Sequence, residues 1–84
     1  MRYEVEWHPT AENELAQLWI DAVNRSEVRS AGDAIDRALG RDPYLDSESR
    51  TGTTRIKIEP PLAVLFEVIE DDRKVKVLKV WRMA

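Results

Sequence analysis

The residues of this chain best placed to handle charge are Arg55 and Lys57, two cations separated by one apolar residue, with a third, Arg82, near the last residue. Cations at such spacing could hold a phosphate or an acidic partner. His8 is the one histidine, and its ordinary titration range makes it a tempting base. Its position between Trp7 and Pro9 fits a helix cap or packing residue instead. Asp71 and Asp72 are adjacent carboxylates that a hairpin turn explains. Trp7, Trp19 and Trp81 could stack on bases, yet their apolar spacing points to the core, with Trp81 the exception. No phosphate loop, metal signature or nucleophile triad is present. Arg55 and Lys57 themselves have a plain alternative, solvent or a structural ion pair on the outer side of a strand, and Arg82 that of an exposed end.

The positioning elements follow from periodicity. Leu62 to Ile69 is apolar at seven of eight positions, which predicts a strand covered on both faces and so the middle of a sheet. Thr54 to Ile58 alternates, placing Ile56 and Ile58 on one side and Arg55 and Lys57 on the other. Glu59-Pro60-Pro61 must reverse the chain, and Glu70 to Arg73 reads as a hairpin turn into a last strand, Lys74 to Trp81. There Val75 and Val77 share one parity and Leu78 and Val80 the other, so either both faces are buried or a bulge shifts the register. Tyr3 to Trp7 alternates as an edge strand with Glu4 and Glu6 wet. A first helix with Pro9 at its first position, His8 or Thr10 as its cap, running to about Val23, and a second from a Ser26 cap to about Leu39 form a hairpin, the second ended by Gly40 and Asp42-Pro43. Residues 41 to 52 read as a polar loop in which Tyr44 and Leu45 pin the chain to the core.

With 84 residues the sequence reads as one domain, 1–84, with 43% apolar residues, no cysteine and a single histidine. Disulfides, thiolate metal sites and histidine clusters are therefore excluded, and no cofactor is expected. No apolar run approaches the roughly 20 residues of a membrane span, and Met1-Arg2-Tyr3-Glu4 opens no signal peptide, so the expected location is the cytoplasm. Net charge is −3, divided unevenly: residues 1–48 carry eleven acids and five bases, residues 49–84 five acids and eight bases. An acidic total argues against general nucleic-acid binding. Strand, helix, helix, then three strands gives an α+β fold, a helical hairpin packed on one face of a mostly antiparallel four-stranded sheet, with Arg55 and Lys57 expected on the open face.

In order and spacing, Tyr3-Glu4-Val5-Glu6-Trp7, the Pro9-Thr10-Ala11-Glu12 helix start with Leu15, Leu18 and Trp19, Asp42-Pro43, Gly52 and Arg55, Leu62 to Val68, and Val75-Lys76-Val77 through Val80-Trp81 resemble the RelE/ParE superfamily of bacterial toxins from type II toxin-antitoxin pairs. That resemblance, which covers almost the full chain, implies a toxin neutralised by a cognate antitoxin, in the setting of plasmid stabilisation. A RelE-like branch cuts messenger RNA on the ribosome with sheet-face cations and a residue near the C terminus. Here Arg55, Lys57 and Arg82 are the matching catalytic candidates, but Ala63 stands where an arginine is expected, and Met83-Ala84 follows Arg82 with no tyrosine or histidine. The set is incomplete, which leaves open whether the chain is an enzyme. A ParE-like branch inhibits DNA gyrase by protein binding and fits the missing residues better. A third possibility is a non-toxic binding module on the same fold.

Overall fold

The computed structural model describes residues 2–83. Its elements are β1 (Glu4–Trp7), α1 (Pro9–Asp21), α2 (Arg25–Arg41), β2 (Ser47–Ser49), β3 (Thr54–Glu59), β4 (Leu62–Ile69), a short 3-10 turn (Glu70–Asp72) and β5 (Lys74–Arg82). One sheet runs in the order β1-β5-β4-β3-β2. Thus β4 is central, as its apolar run predicts, but it is fully covered only on the helix side; on the other face Leu65, Glu67 and Ile69 are partly exposed. β1 is an edge strand, and it lies parallel to β5 while every other pairing is antiparallel.

The sheet has five strands rather than the expected four. The addition is Ser47–Ser49, within the stretch read as loop, paired to Arg55–Lys57. Three polar residues have no apolar alternation to announce a strand; the pairing rests on backbone bonds to a neighbour and on the Arg55 side chain, which grips Ser47.

Residues opposite each other across a ladder project to the same side. Leu62, Val64, Phe66 and Val68 on β4 and Val75, Val77 and Val80 on β5 join Ala11, Val28, Ala31, Ile35 and Leu39 of the helices in one buried core. β1 adds Val5 and Trp7, opposite Val75 and Val77. The register changes between Leu65 and Phe66, whose partners are Lys79 and Val77, so Leu78 is the extra residue of a bulge. That shift returns Val80 to the core side, and its N–H donates to the Glu14 carboxylate of α1 at 3.0 Å.

His8 caps α1, its Nδ1 accepting from the Thr10 N–H at 3.1 Å. The second helix starts one residue before the expected Ser26 cap: Asn24 accepts from the Glu27 N–H, and Ser26 instead donates to Asn24. Arg25 reaches back to the last carbonyls of α1, Trp19 and Ile20, both at 3.2 Å, satisfying acceptors that a helix end leaves open. Gly40 does not end α2, which runs on to Arg41; it lies against β1, where Tyr3 N donates to its carbonyl at 2.7 Å. Gly52, at φ +58°, turns the chain between β2 and β3 in a conformation that suits glycine.

Candidate functional site

The largest departure from expectation concerns the two sheet cations. Arg55 lies opposite Phe66 and Lys57 opposite Val64, so both project toward the helix-covered side, and Ile56 and Ile58 take the open face. The reversal follows from register: the central strand fixes which parity of β3 faces the core, and β3 itself is too short and too evenly amphipathic to decide. Lys57 is 6% exposed, its Nζ donating to the Leu45 carbonyl at 3.3 Å. Arg55 is half-buried and donates to Ser47, from Nε to Oγ at 2.8 Å and from Nη2 to the carbonyl at 2.9 Å, with its guanidinium 5.2 Å from the Tyr44 ring centre. Neither cation forms the exposed patch expected of them.

Arg82 faces the same side opposite Leu62, but it is exposed and sits 3.7 Å from Glu27 at the start of α2. Between Arg55 and Arg82 lie two strand spacings and four residues, roughly 17 Å. The structure brings Arg55 and Lys57 together under residues 42–46 and leaves Arg82 apart, while His8 is occupied as a cap. Among the described residues no group of three metal-ligating side chains occurs.

The segment over those cations is held by polar contacts that the sequence did not announce. Glu70 accepts from the hydroxyls of both Tyr3, at 2.8 Å, and Tyr44, and pairs with Arg73 at 3.1 Å. These hydrogen bonds, foremost that of Tyr44, hold the Glu70 carboxyl below its usual range. In return the Tyr44 phenol is pushed up to about 12, and that of Tyr3 is raised. Arg73, in the left-handed conformation at φ 51°, stacks on Tyr3 at 4.2 Å. Tyr44 does pin the loop, but to this carboxylate; Leu45 does not join the core and is 59% exposed. Tyrosines 41 residues apart and a turn glutamate carry no shared sequence pattern, so only the fold could reveal the cluster.

A second feature is a groove of about 1000 Å³ between α1, α2 and β1. Leu15, Ala16, Trp19 and Ile20 supply its α1 wall and Val28 and Gly32 its α2 wall, with Val5 and Trp7 adjoining. Trp19 was expected in the core but is 41% exposed, its ring under the Arg25 guanidinium at 4.7 Å. The charged residues around the groove are Glu6, Glu12, Asp33, Asp36 and one cation, Arg29.

No protein-family model and no curated protein matches the sequence. Solved structures do. The chain is similar to the toxin-antitoxin complex RelBE2 of Mycobacterium tuberculosis, at 17% identity with a TM-score of 0.81, covering 100% of this chain and 94% of that one. It is similar as well to the archaeal RelE-RelB complex of Pyrococcus horikoshii, at 18% identity and 0.70, covering 98% and 96%. For the chromosomal ParDE system of P. aeruginosa the values are 14% and 0.68, covering 99% and 98%. At these identities the likeness is one of fold alone, a fold shared with these RelE and ParDE structures.

Proposed function

We propose that this chain is the toxin of a type II toxin-antitoxin pair, acting in the cytoplasm by protein binding in the ParE-like manner, with DNA gyrase as its target, and neutralised by a cognate antitoxin. The fold supports the toxin reading. The observation that carries the choice of mechanism is the sequestration of Lys57: with that amine on a backbone carbonyl, Arg55 engaged by Ser47 and Arg82 beside Glu27, the cations do not converge on one phosphate. Phosphoryl transfer depends on such convergence. Protein binding needs only surface, and the groove provides it.

Inducible expression tests the reading. Growth arrest relieved by the neighbouring antitoxin gene, accompanied by loss of plasmid supercoiling, is the expected result. Cuts in transcripts at codon positions that disappear in an Arg55→Ala, Lys57→Ala double variant would replace it with ribosome-dependent messenger RNA cleavage. Robust growth on overexpression would leave a non-toxic binding module.

A further inference from the structure

We infer that the groove between α1 and α2 receives a cationic amphipathic helix of a partner protein. The inference deepens the proposed function, because it states the chemistry of the segment by which an antitoxin would hold this chain.

Shape comes first. α1 has 13 residues, which at helical rise is about 20 Å. A helix about 10 Å across, half sunk along that length, fills on the order of 800 Å³, comparable to the 1000 Å³ available. Leu15, Ala16, Trp19 and Ile20 follow the three-and-four spacing of one helix face, which suits the ridge of a second helix. Leu15 packs on the core at the floor, while Ala16, Trp19 and Ile20 stay exposed, the last two at 41% and 54%. Gly32 keeps the α2 wall low, since a Cβ there would stand 3.6 Å from Leu15 on the groove side.

Charge then selects the occupant. Four acids and one base border the apolar floor. The ion pairs among the described residues are Arg73–Glu70, Lys74–Glu6 and Arg82–Glu27, so Glu12, Asp33 and Asp36 are in none of them. Asp36, at the rim, accepts from Trp7 Nε1 at 3.1 Å. A helix with lysine or arginine beside its apolar stripe would match this border, whereas one flanked by acids would be repelled. A second copy of this chain does not supply that helix: α1 carries Glu12, Glu14 and Asp21 with no cation, and the apolar stripe of α2 is already in the core.

Two synthetic helical peptides with the same leucine stripe, one flanked by lysines and one by glutamates, test the proposal by titration into the full chain with amide shift mapping. The lysine peptide is expected to bind roughly tenfold tighter at low salt, with the difference shrinking as ionic strength rises, and to shift Leu15, Ala16, Trp19, Ile20 and Gly32. A Glu12→Lys, Asp33→Lys variant should lose or reverse the preference. An Ile20→Ser variant, altering an exposed residue, should weaken both peptides. Equal binding of the two peptides, shifts centred on Ile56, Ile58 and Trp81 of the open sheet face, or closure of the groove by self-association at rising concentration would each overturn it. Growth arrest is a separate readout. A chain that arrests growth but shows no peptide preference keeps the toxin reading and loses this one; the opposite result loses only the toxin reading.

Discussion

The Tyr44 hydroxyl donates to the Glu70 carboxylate, and this contact ties the segment between α2 and β2 to the turn between β4 and β5. Tyr3 brings the start of β1 to the same carboxylate. Three stretches distant in sequence are thereby joined at one end of the sheet, beside the loop that covers Lys57.

This junction predicts a stability difference confined to a pH window. Glu70 is depressed in the folded chain, so its contribution is present above the unfolded carboxylate range, about 4.3, and is lost as pH falls through the folded value. Tyr44 is raised from 10.0 to about 12, so its contribution is complete below 10.0 and is lost as pH rises through about 12. Urea midpoints of the wild-type chain and Tyr44→Phe should therefore differ most near pH 7 and converge in strong acid and strong alkali. A gap of constant size at all three would show that the hydroxyl contributes nothing through Glu70.

Lys57 should be the slowest of the four lysines to be acylated, and Lys79, exposed on β5, the fastest. Peptide mapping after a short pulse of an amine-reactive reagent reads this directly. The Tyr44→Phe variant should speed Lys57 by a few-fold, because it loosens the covering loop without touching the amine. Lys57→Met should be neutral or stabilising, since a buried ammonium with a single carbonyl acceptor recovers little of its lost hydration.

At the start of α2, Asn24→Ala should cost about 1 kcal/mol in chemical denaturation. Ser26→Ala should change stability by less than about 0.5 kcal/mol, because its hydroxyl serves Asn24 and no backbone N–H. Equal losses at the two positions would contradict the assigned cap.

On the sheet, Phe66→Ala should remove about 3–5 kcal/mol, enough to unfold much of a domain this small, because the ring is wholly buried beneath the helices. Ile58→Thr, on the open face and 53% exposed, should stay within about 0.5 kcal/mol. Thermal melts of both variants separate the two faces of the sheet.

What the sequence determined by itself was whatever local chemistry dictates. The greasy run from Leu62 to Ile69 had to be central, flanked by a strand on each side, since an edge would leave it largely wet. Pro9 had to open a helix, and Asp42-Pro43 had to follow the end of one. Order and spacing were enough to suggest the RelE/ParE fold. Tertiary structure alone decided the sidedness of Arg55 and Lys57, because a short alternating strand is the same sequence whichever face looks inward, and only its register against Val64 and Phe66 chooses. It also decided the fifth strand, whose pairing is carried by backbone groups common to every residue, the bulge at Leu78, and the Tyr3-Tyr44-Glu70 junction. Contacts between residues dozens of positions apart leave no periodicity to read. They exist because packing the apolar stripes of the chain leaves its polar groups in particular places, and those groups then pair with the neighbours they find.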